Sequence, residues 1–210
     1  MKPCSCSRPH QRRRIVLTGG PGAGKTAVLE LVRQSFCQHV LVLPESASIL
    51  FRGGFPRSER PADRRAAQRA IFHVQRELER AADERDGSAI VLCDRGTVDG
   101  AAYWPGPDDF WESVGTTREA ELARYHLVLH LRVPPVAGYN HHNPVRVESA
   151  AEAAAIDERI TRAWAGHPDR RFVESTTDFV DKAQATLRLL GAALPDCCPR
   201  PALLDAAPPL

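Results

Sequence analysis

Short, uninterrupted apolar runs alternate along the chain with longer stretches in which apolar residues recur every three or four positions. The runs are Ile15 to Leu17, Val40 to Leu43 and Ala89 to Cys93, then residues 125–133 with Leu127, Val128, Leu129 and Leu131. Arg171-Phe172-Val173 adds a weaker fifth. Runs without polar alternation suit strands covered on both faces, as in a parallel sheet. Helical periodicity follows Lys25, with Ala27, Val28, Leu31 and Val32 on one side. It returns from Asp63 to about Arg85 (Ala67, Ala70, Ile71, Val74, Leu78, Ala81), from Ser149 to Trp164 (Ala153, Ile156, Ile160, Ala163, Trp164) and from Asp178 to Leu190. Ser149-x-x-Glu152 is a capping box that opens the third of these helices, and Gly87 and Gly191 punctuate helix ends. Strands alternating with helices predict a three-layer α/β/α domain on a mostly parallel sheet of about five strands, with right-handed crossovers.

Length and tails change this picture little. The chain of 210 residues suits one such domain, spanning residues 14–191. Residues 1–13, with Pro3 and Pro9 and no periodicity, read as a disordered basic arm, and residues 192–210 as a disordered Pro/Ala-rich tail. No apolar run approaches the roughly 20 residues of a membrane span. The start Met1-Lys2-Pro3-Cys4 lacks the hydrophobic segment of a secretory or lipoprotein signal, so a cytoplasmic protein is expected.

The six cysteines (4, 6, 37, 93, 197, 198) form no regular disulfide framework. Cys4-x-Cys6 with His10, and Cys197-Cys198, have metal-ligand chemistry but no paired C-x-x-C spacing, so reduced thiols without a role are expected. His141-His142 likewise has no third ligand at a telling distance and reads as loop.

Net charge is +2, but the first 70 residues carry 13 Lys/Arg against four Asp/Glu. Much of this charge lies in Arg12 to Arg14 and in Arg52, Arg57, Arg60, Arg64, Arg65 and Arg69. No aromatic interleaving or DNA-reading motif accompanies it, so no nucleic-acid partner is expected. A solvated face, or contacts to a phosphorylated ligand, accounts for it better; peripheral contact with anionic lipid stays open.

The segment after the first strand carries the strongest chemistry. Gly19-Gly20-Pro21-Gly22-Ala23-Gly24-Lys25-Thr26 has the P-loop spacing, between an apolar strand and a helix as that motif requires. Its glycines let successive N–H groups turn toward a phosphate, and the helix start adds its unpaired donors and the positive end of its dipole. Lys25 is the residue for the β- and γ-phosphates, and the Thr26 hydroxyl for Mg2+. The chain is therefore expected to bind a nucleoside triphosphate, in a P-loop NTPase-type fold.

Asp94 stands where the third strand leaves the sheet, the position from which P-loop proteins orient the magnesium shell, and Arg95 follows at the same edge. A plain surface Asp–Arg turn is the competing view. Tyr103 and Trp104 suit either stacking on a substrate ring or closing the core beneath a loop. Arg159 and Arg162, three apart on one helix, suit either a clamp on a transferring phosphoryl group or a solvated face.

These motifs, with Glu45-Ser46, Gly53-Gly54-Phe55-Pro56-Arg57, Asp94-Arg95-Gly96 and Asp99, Tyr103-Trp104-Pro105-Gly106, Asn143-Pro144-x-Arg146-x-Glu148 and Trp164-x-Gly166-His167-Pro168, resemble the AAA-domain-type ATP-binding P-loop family. That family is related to ribosylnicotinamide-kinase domains and more remotely to nucleoside and nucleotide kinases. The resemblance runs from about Arg14 to Leu190 and implies a kinase-like core with a helical lid. It implies that Glu45 accepts a proton from a substrate hydroxyl, that Arg95 lies near the transferred phosphate, and that Arg159 and Arg162 belong to an arginine-bearing lid. Arg52, Arg57, Asp99, Tyr103 and Arg146 become candidate substrate contacts.

The Gly-Gly-Phe-Pro loop has no counterpart in nucleoside kinases, and their base-reading residues have no match here. The Asn/Thr-Lys-x-Asp guanine motif is absent too, since the only lysines are Lys2, Lys25 and Lys182. ATP is the default donor and GTP the second. Three readings follow: a kinase acting on an unidentified small hydroxyl-bearing acceptor, a nucleotide-dependent switch or binding module, and a plain NTP hydrolase.

Overall fold

Five parallel strands form the sheet, in the order β2-β3-β1-β4-β5: β1 Arg13–Thr18, β2 Val40–Leu43, β3 Ile90–Asp94, β4 Leu127–Leu131 and β5 Arg170–Val173. The computed structural model describes residues 4, 6, 10–134, 149–175 and 178–198. The helices are α1 Lys25–Ser35, α2 Ser46–Arg52, α3 Pro61–Asp83, α4 Asp99–Tyr103, α5 Phe110–Ser113, α6 Arg118–Leu122, α7 Ala150–Ala163 and α8 Phe179–Gly191. The three-layer α/β expectation holds. The strand expected over 125–133 is shorter, because Tyr125 turns inward and its hydroxyl joins a buried polar cluster instead of a ladder. Three short helices, α4 to α6, carry too few residues for a periodic pattern to show.

Alternation along each strand sends side chains to two separate cores. Ile15, Leu17, Ile90, Leu92, Leu127, Leu129 and Leu131 meet Val28, Leu29 and Val32 of α1 and Ala183, Leu187 and Leu190 of α8. Val16, Val91, Cys93 and Val128 face the other way, onto Ala82 of α3, Ala102 of α4 and Ile156, Ile160 and Trp164 from α7 onward. Both faces are covered, which is why the strands read as continuous apolar runs. A satellite cluster of Phe72, Phe110 and Val114 with Trp104 and Trp111 packs α5 onto α3.

The Ser149–Glu152 capping box is present with both reciprocal bonds and fixes the start of α7. Arg12 donates to the carbonyls of Asp83 and Arg85, and residues 192–198 continue as turns with Cys198 buried, so chain on both sides of 14–191 packs onto the domain. Residues 138–148, including His141, His142 and Arg146, and the tail beyond Cys198 lie outside the described residues. Among the described residues no helix is long and apolar enough to cross a membrane.

Candidate functional site

The P-loop leaves the carboxyl end of the central strand β1, and close packing fixes its path. A Cβ at Gly19 would stand 2.1 Å from the Leu131 carbonyl oxygen, and its φ of 133° lies where side chains are not tolerated. Gly24, at φ 92°, is the left-handed N-cap of α1. Lys25 begins that helix and folds back: its ammonium donates to the carbonyls of Gly19 (2.7 Å) and Gly20 (3.0 Å). Burial first, then the charge of Arg95, pulls its pKa down to about 7 against the opposing pull of Asp94, Glu45 and Asp99. An ammonium so placed gains most from an incoming phosphate, which supplies the negative charge it lacks. Thr26 is exposed in the first turn.

Around Lys25 the ends of β2 and β3 bring four more charged groups together. Glu45 precedes α2, and Arg95 Nε donates to its Oε1 at 2.8 Å. Burial alone would raise the Glu45 pKa; Arg95, the Ser48 hydroxyl and Lys25 outweigh it and hold the carboxylate below its usual value. Asp94 goes the other way, pushed up to about 6 by burial and then by Glu45. Carboxylates driven apart in this way mark sites with work to do.

Arg95 itself has φ 68°, the one non-glycine residue with positive φ among those described. It is held there by its N–H on the Leu17 carbonyl (3.1 Å), by Glu45, and by Asp99 at 3.3 Å. Strain of this kind persists only where surrounding contacts over-determine it, often at functional positions.

Asp99 borders the crevice, but its carboxylate is engaged by the protein. It is buried, and its oxygens take bonds from the Thr18 hydroxyl, Arg95, the Gly96 N–H (3.0 Å) and the Trp164 indole (3.1 Å). With its acceptors engaged by the protein, it serves to position Arg95 and the turn at Gly96.

A crevice of about 570 Å³ opens beside the P-loop between α2, α3, α4 and α7. Pro21, Glu45, Arg95 and Tyr103 line it, with Arg57, Arg64 and Arg159. Its walls also carry Phe51, Ile71 and Phe72, so it is amphipathic and bears charges of both signs. Pockets of this size and mixed lining hold small molecules. Arg57 lies over the Phe51 ring at 4.5 Å, and Arg95 over the Tyr103 ring at 5.5 Å.

Several expected residues sit elsewhere. Arg52 is exposed and does not line the crevice. Arg162 is likewise exposed off its rim, whereas Arg159 reaches it and donates to the Ala102 carbonyl at 2.8 Å. Three residues along a helix turn a side chain by roughly 60°, enough here to split the expected pair. Trp104 closes the satellite core, its indole on Asp109 at 2.8 Å and Arg65 stacked at 4.8 Å, while Tyr103 faces the crevice.

One arrangement escaped the sequence reading altogether. Asp157, on the buried stripe of α7, accepts the N–H of Gly20 in the P-loop at 2.8 Å. The same carboxylate accepts from His130 Nε2 (2.8 Å) and pairs with Arg132 (2.9 Å). Arg170 donates to His130 Nδ1 at 2.9 Å, and a guanidinium cannot accept, so the imidazole proton resides on Nε2. The signal was available: Asp157 interrupts the core spacing of Ala153 and Ile160, and His130 interrupts an apolar strand.

A family model for the AAA domain matches residues 14–182. The chain belongs to this AAA-domain family. Among solved structures it is similar to thymidylate kinase from Candida albicans, at 14% identity, covering 90% of this chain and 97% of that one with a TM-score of 0.53. That likeness shows a shared P-loop kinase fold. A search of the curated proteins finds no match. This member of the AAA-domain family is thus a nucleotide-binding P-loop protein with a kinase-like fold.

Oxygen donors fit Mg2+: the Thr26 hydroxyl at the start of α1, and the Asp94 carboxylate, whose raised pKa beside Glu45 a cation would relieve.

Proposed function

We propose that the chain transfers the γ-phosphoryl group of ATP, or secondarily GTP, to a hydroxyl of a small molecule seated in the crevice. The observation that carries this reading is Glu45. Its carboxylate lines a pocket beside the P-loop, is held ionised by Arg95, and lies within the electrostatic reach of Lys25. A protein that only binds or hydrolyses nucleotide needs neither that carboxylate nor an amphipathic pocket behind it.

In the transfer, the acceptor oxygen bonds to the γ-phosphorus, the bond from phosphorus to the β,γ-bridging oxygen breaks, and ADP leaves. The hydroxyl proton passes to Glu45 and on to solvent. With a carboxylate held below its usual pKa, Glu45 serves more to orient the hydroxyl than to pull its proton early, which suits a loose transition state. Lys25, Arg95 and Arg159 supply fixed positive charge toward the transferring group. Mg2+ held by Thr26 and Asp94 would neutralise phosphate charge when bound.

The test is ATP turnover against a panel of nucleosides, nucleotides and other hydroxyl metabolites, followed by Glu45→Gln on whichever acceptor responds. The variant should keep ATP affinity and lose transfer by roughly 10²–10⁴-fold. Tight nucleotide binding with no turnover on any acceptor would instead favour the nucleotide-dependent switch. Turnover that needs no acceptor, and that Glu45→Gln leaves intact, would favour the hydrolase.

A further inference from the structure

Beyond the C-terminal end of α1, three distant segments bring thiols and imidazoles together. Cys4, Cys6 and His10 come from the start of the chain, Cys37 and His39 from the corner between α1 and β2, and Cys197 and Cys198 from the turns after α8. Five of the six cysteines of the protein are therefore in one place; only Cys93, buried in β3, stands apart.

We propose that this cluster is a zinc site whose ligands are Cys6, His10, His39 and Cys197. The ligand atoms of these four lie within 4.8 Å of one another. His10 Nε2 is 3.5 Å from Cys6 Sγ and 3.2 Å from Cys197 Sγ. A tetrahedron with Zn–S near 2.3 Å and Zn–N near 2.0–2.1 Å has edges of about 3.3–3.8 Å, so those two contacts already approximate edges of the coordination polyhedron. Two sulfurs and two nitrogens in that geometry select zinc over the hard cations that P-loops hold.

Cys37 and Cys198 border the site, at 3.6 and 3.3 Å from His39 Nδ1, and Cys4 completes a second grouping with Cys37 and His39.

The scaffold around His39 is built for fixed ligands. Its carbonyl accepts the N–H groups of both Ala89 and Ile90 at 2.9 Å, anchoring it to the start of β3. Val40 N–H bonds the Cys37 carbonyl at 3.0 Å, and the Gln38 side chain donates to the Cys4 carbonyl at 3.2 Å. All of these cysteines are free, with Cys37 and Cys198 Sγ 3.4 Å apart. Zinc would clamp residues 6–10 and 197 to the corner that follows the P-loop helix, and part of its binding energy would become folding energy.

The experiment uses the full chain purified without chelator. Elemental analysis should give about one zinc per chain, and exchange for Co2+ should give the intense visible bands of a tetrahedral thiolate site. Removing zinc with a strong chelator should lower the melting temperature, and adding zinc back should restore it. His10→Ala and Cys197→Ser should each lower the zinc content at least about fivefold while Mg-ATP affinity stays within about twofold, as distant sites act independently. If those variants fail to fold, the Co2+ spectrum and chelator response of the unaltered chain decide. A zinc-free folded chain whose five clustered thiols react with a thiol reagent overturns the proposal. So does a mass deficit from disulfides among these cysteines, or the visible absorption of an iron–sulfur cluster in the isolated protein.

Discussion

The carboxylate of Asp157 on α7 holds the backbone N–H of Gly20 in the P-loop at 2.8 Å, so the helix packed over the phosphate loop also sets the loop's shape. The bond is buried, and the same carboxylate is engaged by His130 and Arg132, which leaves it little freedom to let go. Asp157→Ala should raise the Kd for Mg-ATP roughly tenfold, about 1.4 kcal/mol. Asp157→Asn, which keeps an acceptor for Gly20, should recover part of this. Calorimetric titrations of the two variants that match the unaltered protein would show the loop to be indifferent to α7.

His130 makes this network sensitive to acid. Burial first, and the charge of Arg170, lower its pKa below the ordinary 6.5 even though Asp157 pulls the other way. The unfolded chain then binds a proton that the folded chain refuses, so stability rises with pH through this window. It is present in full above about pH 6.5 and is lost as pH falls from there toward the lower folded pKa. Protonation at Nδ1 also expels the Arg170 donor. The part of the melting-temperature loss between pH 7 and 5 that belongs to His130 should vanish in His130→Gln. A variant whose acid profile parallels that of the original chain would rule this out.

The left-handed backbone of Arg95 permits a clean comparison. Arg95→Ala keeps the unfavourable φ and loses the ion pairs with Glu45 and Asp99; Arg95→Gly loses the same pairs but relieves the backbone. The glycine variant should be the more stable of the two by about 1–2 kcal/mol in denaturant unfolding. Both should bring phosphoryl transfer, once an acceptor is known, far below that of the original chain. Equal stabilities would mean that the turn relaxes and stores no strain.

Arg159 and Arg162 should separate in function as they do in space. Arg159 lines the crevice and Arg162 is exposed away from it. Arg159→Ala should lower turnover by at least about tenfold, whereas Arg162→Ala should change it by less than about twofold. Matching losses in steady-state assays would restore the paired clamp.

Sheet and P-loop were legible in the sequence because strands buried on both faces need unbroken apolar runs, and because the phosphate loop is a local motif whose residues are contiguous. The acidic and basic ends of β2 and β3 were legible too, since parallel strands deliver their termini to one edge. What was not legible is what only tertiary closure creates. Arg162 could not be told from Arg159 without knowing how α7 rolls onto α4. Asp99 read as a substrate contact because no sequence pattern reveals that Thr18, Gly96 and Trp164 converge on it. The thiols and imidazoles of residues 4–10, 37–39 and 197–198 read as unrelated because nothing in their spacing announces that three segments so far apart in the chain return to the same corner.

The strand order has a consequence for the life of the chain before it is complete. β1 is made first, yet its two neighbours, β3 and β4, begin only at Ile90 and Leu127. Gly19 is seated against the carbonyl of Leu131, and Gly20 is held by Asp157, later still. A nascent polypeptide therefore exposes its most recognisable motif on the ribosome long before that motif has a wall to lean on, and such non-local closure is slow. The surroundings that shape the phosphate loop are complete only once translation has passed Asp157.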